Sequence, residues 1–203
     1  MLQLLLSIVI ISGILISGTR RIKLLTSSFT VQSLAIALAC IFLGYTTKEM
    51  HYYIMGILTL TIKVLLIPHI IRKSFRTLKI KRELDLIVGG FSSFIFSGLY
   101  IMIIFAIFRN FPSIYLKTGI FLILIGITVM VGRKKAITQM VGLLTIENGI
   151  ILLEISLVKI PMVLEAWMAL EVLVLALIMG MMIFHINKTF DTVSTDYLSD
   201  LKE

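Results

Sequence analysis

The stretch ITQMVGLLTIENGIILLEISLV, Ile137 to Val158, decides the fold. Its apolar side chains do not alternate with polar ones, and the run is long enough, at about 1.5 Å per residue, to cross some 30 Å of hydrocarbon as a helix. Lipid offers no partner for free backbone groups, so such a run must close its hydrogen bonds within itself. A closed barrel would need a period-two alternation that is missing. Working outward, other stretches read the same way: about Leu2 to Gly18, Phe29 to Tyr45, Tyr52 to Ile71, Leu86 to Phe108, Ile114 to Val131 and Val163 to Ile186. Of 203 residues 59% are hydrophobic and 15% charged, outside the range of a soluble globular domain. Little chain is left between the runs for a soluble domain. The expected fold is therefore all-α, a polytopic integral membrane bundle of about seven transmembrane helices. It divides into an N-terminal three-helix segment (1–85), a C-terminal four-helix segment (86–190) and a tail (191–203).

Lys and Arg in the connections set the expected orientation, because cytoplasmic loops carry their excess. Arg20, Arg21 and Lys23 follow the first run. Arg72, Lys73, Arg76, Lys79, Lys81 and Arg82 follow the third, and Arg133, Lys134 and Lys135 the fifth. Lys188 and Lys202 in the tail fall on the same side. The opposite side holds Lys48, Arg109, Lys117 and Lys159. The N-terminus is thus expected outside and the C-terminus in the cytoplasm, with the first run a retained helix, having no basic segment before it and no convincing cleavage site after it. The formal charge of +8 reflects this orientation and recommends no nucleic-acid partner.

Several chemistries are closed off. Cys40 stands alone, so no disulfide, cluster or thiolate metal site can be built from this chain. His51, His69 and His185 share no ligand-like spacing with one another or with acids and read as interfacial, solvated residues. No glycine-rich phosphate loop or nucleophile elbow is present, and Trp167 with the scattered Phe and Tyr reads as packing or lipid-facing. No catalytic centre and no cofactor site is expected.

Depth separates the remaining charges. Glu49, Glu83, Asp85 and Glu165 lie in loops or first turns, where water solvates them. Lys63, Glu147 and Glu171 each sit about ten residues from their run's ends, roughly 15 Å deep. A bare charge there costs at least about 2.5 to 3.5 kcal/mol unless it faces protein, water or a counter-ion. A shared polar layer follows. Its bland form is a Lys–Glu pair that fixes helix packing. Yet one lysine cannot match two carboxylates, and burial raises a carboxyl pKa and lowers that of an amine, so proton relay is the sharper reading. Glu154, seven residues after Glu147, returns to nearly the same helix face about 10 Å further outward. It is either a second step of one track or a solvated group near Lys159. Pro68, in the same run as Lys63, is either expected to bend the helix or loosen its ladder beside the charge, or is a plain helix-terminal proline. Asn148, Gly149 and Gly142 put small and polar groups where neighbouring helices approach.

Three segments, GRKKAITQMVGLLTIENGIILLE (132–154), MALEVLVLALIMGMMIFHI (168–186) and FDTVSTDYLSDLK (190–202), together resemble the small NuoK-like membrane subunit of respiratory complex I and its Mrp antiporter relatives. With LTLTIKVLLIPHII (58–71), the pattern from about Thr59 onward resembles component E of hydrogenase-4 and formate hydrogenlyase complexes. The resemblance implies a subunit of the membrane arm in the cell's inner or plasma membrane. Its partners would be antiporter-like large subunits and a quinone- or hydrogenase-anchoring subunit. It further implies that Glu147 and Glu171 are the two mid-membrane acids, that Lys63 is the lysine of the component E run, and that nickel, iron–sulfur clusters and quinone belong to other subunits. Two alternatives stand beside it: a subunit of an Mrp-type cation/proton antiporter, and a structural scaffold of the membrane arm.

Overall fold

The computed structural model describes residues 1–77, 89–133 and 136–157. Among these there is no β-strand. They are α1 (Leu2–Gly18), α2 (Ile22–Thr47), α3 (Met50–Thr59), a π-helical stretch (Leu60–Leu66), α4 (Ile67–Thr77), α5 (Gly90–Ile107), α6 (Ile114–Gly132) and α7 (Ala136–Leu157). The segments Ile22–Thr47, Met50–Arg72, Gly90–Ile107, Ile114–Gly132 and Thr138–Ser156 are each long and apolar enough to cross a membrane, and α1 is a shorter apolar helix. In length and composition this is a multi-pass membrane protein. The expected run Val163 to Ile186 and the tail lie outside the described residues.

The second helix starts earlier than its apolar run implied, at Ile22 instead of Phe29. Thr26 Oγ1 donates to the Ile22 carbonyl and Thr30 Oγ1 to that of Thr26, so these polar side chains are satisfied on their own helix and can be enclosed. With Leu25, Thr26, Ser28 and Phe29 all buried, the early turns belong to the core. Elsewhere the same device hides hydroxyls: Ser12, Thr118 and Thr145 each donate to a carbonyl one turn back. Ser17 Oγ also meets Ser97 Oγ at 2.9 Å, joining α1 to α5. The outer face of α5 presents Phe91, Phe94, Ile95 and Met102, side chains that acyl chains solvate well.

Among the described residues α6 packs most closely on α7, and its sequence cause is two glycines on each helix at the same seven-residue spacing. A Cβ on Gly119 would fall 2.8 Å from the Gly149 carbonyl oxygen, and one on Gly126 2.6 Å from that of Gly142. The backbones touch directly at both levels, as small residues allow in lipid, where close packing replaces the hydrophobic drive.

One residue of the basic connections, counted in sequence only toward orientation, is enclosed by the fold. Arg133, just past the end of α6, is 2% exposed. Its Nη2 donates to the carbonyls of Ile16, Ser17 and Thr19 at 3.1, 3.1 and 2.7 Å. Ile16 and Ser17 are in the last turn of α1, whose carbonyls lack partners within the helix, and Thr19 is its C-cap; a cation there also complements the helix dipole. Burial pulls the guanidinium down to about 10, so it remains charged at neutral pH. Arg133→Leu is expected to lower stability by about 1 to 3 kcal/mol, the range for stranding buried polar groups. Thermal unfolding of the detergent-purified chain reads this out, and an unchanged midpoint would show that water caps α1 equally well.

Candidate functional site

Lys63 owes its position to an irregularity in its own helix. Pro68 has no N–H, and its ring crowds the carbonyl four residues back, so a regular α-ladder cannot run through it. The chain widens just before it. Leu60–Leu66 wind as a π-helix, and the Ile67 amide reaches back five residues to the Ile62 carbonyl. The expected loosening beside the charge takes this form. Lys63 lies at the centre of the widened turn, 5% exposed. Such π-turns are rare and gather at functional sites.

The ammonium group meets α7. Lys63 Nζ lies 3.0 Å from Glu147 Oε2 and donates to Asn148 Oδ1 at 3.2 Å. Asn148 in turn donates from Nδ2 to Gln32 Oε1 at 3.3 Å and to Ser33 Oγ at 3.0 Å, both on α2. The lysine sets the direction of this row. An ammonium has no lone pair, so Asn148 must offer it oxygen and turn its NH2 to α2, and Gln32 must then offer oxygen in its turn. The far end, Gln32 Nε2, has no hydrogen-bond partner among the described residues and points toward Gly13 of α1, 3.6 Å from where a Cβ would stand. Asn148, Gln32 and Ser33 are fully enclosed, while the Glu147 side chain keeps 16% of its surface. Access to the pair is therefore from the carboxylate side.

A second pair lies two turns along α7. Glu154, open in sequence between a relay step and a solvated group near the interface, is buried with its side chain 1% exposed, and His51 Nε2 stands 3.3 Å from its Oε1. His51 is thus corrected from a solvated interfacial residue to the partner of a buried acid. Spacing along the chain could not show this, because the two residues belong to different helices. The His51 ring also stands edge-on to Tyr52, with centroids 5.3 Å apart. Both acids of α7 are met by basic side chains of the single span Met50–Arg72.

Of the residues expected to share the polar layer, Lys63 and Glu147 are brought together, and Glu171 lies outside the described residues. Gln32 and Ser33 went unnoticed in the sequence, although a Gln–Ser step inside the apolar run Phe29 to Tyr45 is a visible signal. Among the described residues no group of three His, Cys, Asp or Glu side chains could hold a metal ion.

No family model matches this chain, and no solved structure matches it. A protein of Mycobacterium tuberculosis (strain ATCC 25618 / H37Rv), described as Uncharacterized protein Rv0085, is 22% identical to it over 205 residues. That similarity extends over 96% of this chain and 92% of the relative, so it concerns the whole bundle rather than one segment.

Proposed function

We propose that this chain is a non-catalytic membrane subunit of a complex I-like, membrane-bound hydrogenase or formate hydrogenlyase, and that Glu147, paired with Lys63, carries protons or sodium ions through the membrane interior. The observation behind the ion-carrying part is the 3.0 Å contact of Lys63 Nζ with Glu147 Oε2 inside an apolar bundle. Transfer of one proton from the ammonium to the carboxylate turns two buried charges into two neutral groups. Burial disfavours the charged form of each group, which is the physical ground for placing a proton-transfer step at this pair. The redox-complex part rests on the sequence resemblance of the segments around Lys63 and Glu147. In this reading the bundle has seven helices with its N-terminus outside and lies in the plasma membrane. Glu171 is the next carrier, and large antiporter-like subunits are the neighbours.

A second reading, a scaffold locked by buried charge, draws on the row from Asn148 to Gln32 and Ser33, which ties three helices together whether or not an ion moves. Glu147→Gln separates the two. It keeps the shape and a hydrogen-bonding oxygen for Lys63 but cannot release a proton. The expected result is normal assembly on a native gel, with substrate-driven proton uptake by membrane vesicles reduced on the order of 100-fold. Undiminished uptake would leave the pair as a packing device.

A further inference from the structure

We infer that His51 is the residue through which the buried acids of α7 exchange protons with the aqueous phase at the end of the bundle where α2 passes into α3. The inference rests on the proton-carrying reading of Glu147 and extends it to a residue and an exit.

Glu154 by itself is a poor terminus, because its side chain is only 1% exposed and no proton can reach it from bulk water directly. His51 can supply the missing step. It lies in the first turn of α3, one residue past the strongly exposed Met50, and its own side chain keeps 17% of its surface. One ring nitrogen, Nε2, stands 3.3 Å from Glu154 Oε1. Imidazole is the side chain suited to such a place, since it gains and loses a proton near neutral pH and carries it on two nitrogens facing different ways. In the inward direction, the ring takes a proton from hydronium, leaving water, while Nε2 releases one to the Glu154 carboxylate. The ring ends neutral and the carboxyl protonated, so charge and protons balance. The outward direction is the reverse. Glu147 lies about 10 Å deeper along the same helix, two turns away. The ionisable neighbours of His51 along the chain are Lys48, Glu49, Tyr52 and Tyr53.

A purely structural role would need only a cation or a hydrogen-bond donor beside Glu154. His51→Lys provides that without the exchange, because a lysine holds its proton far above neutral pH. In vesicles holding the intact complex, the inference expects His51→Lys to assemble normally and to lose proton flux about 10-fold or more. It expects His51→Ala to lose flux equally and to regain it when imidazole is added on the side facing residue 51. Flux at the parent level in His51→Lys, or an absence of rescue in an assembled His51→Ala, would overturn it. Should His51→Ala fail to assemble, the lysine variant alone decides. The underlying reading fails separately. If Glu147→Gln keeps full flux, proton carriage itself is wrong, whereas loss in Glu147→Gln with parent flux in His51→Lys removes only the exit assigned to His51.

Discussion

Lys63→Met is expected to destabilise the bundle by about 3 to 5 kcal/mol, the scale seen when one partner of a buried ion pair is removed and the other charge is left behind. Methionine keeps much of the unbranched stem, so little packing is lost and the effect isolates the charge. Two acceptors lose their donor at once, Glu147 Oε2 and Asn148 Oδ1. Glu147 retains partial access to solvent and can answer by taking up a proton. Asn148 is fully enclosed and has no such escape. Removing both charges behaves differently, because a buried pair and a well-packed apolar replacement of similar volume are often nearly equal in stability. Lys63→Met combined with Glu147→Leu is therefore expected to recover the part of the loss that comes from the stranded carboxylate, but not the part from Asn148 Oδ1, while proton flux stays absent. The thermal midpoints of the four forms in a double-mutant cycle check the first statement, and vesicle uptake checks the second. A single variant as stable as the parent would mean that the pair contributes nothing to holding the helices. Flux in the double variant would end the case for Glu147 as a carrier.

The helical character of these runs was legible because lipid allows so few solutions: an apolar run long enough to cross must be a helix, whatever its neighbours. Lys63 and Glu147 were legible for the same reason, since a charge in hydrocarbon must find a counterpart and the sequence offered few. The residues that sequence reading missed or misplaced answer to contacts between helices, and no spacing along one chain encodes those. His51 and Glu154 are separated by several helices in sequence and 3.3 Å in space. Arg133 reads as one more loop cation until the end of α1 is seen to lie within its reach. The loosening near Pro68 could be expected from the missing N–H, but its form as a π-turn centred on Lys63 depends on how the span packs. The glycine spacing along α6 and α7 was in plain view, yet it gained meaning only once the two helices were known to be partners.

Gly126→Ala is expected to damage both stability and ion movement, although it adds one methyl group and touches no charged residue. The new Cβ would fall 2.5 Å from Ile146 Cγ1, 2.6 Å from the Gly142 carbonyl oxygen and 2.9 Å from the Ile146 amide nitrogen. A side-chain carbon can rotate away, but two backbone atoms cannot, so α6 and α7 must separate by roughly 1 Å to restore ordinary contact. Overpacking of this kind costs about 1 to 3 kcal/mol. The functional consequence comes from position: Ile146, which bears the clash, is followed directly by Glu147 and Asn148. Moving α7 away from α6 shifts both residues, and the 3.2 Å hydrogen bond from Lys63 to Asn148 has little length to spare. Gly98→Ala on α5 is the comparison to make, because a Cβ there meets nothing within 4 Å. It is expected to leave flux unchanged and to raise stability by about 0.4 to 1 kcal/mol through reduced freedom of the unfolded chain. Thermal unfolding and vesicle uptake on the two variants check both effects together. If Gly126→Ala matched Gly98→Ala in both measurements, the backbone contact of α6 with α7 would not be what holds Glu147 and Asn148 against Lys63.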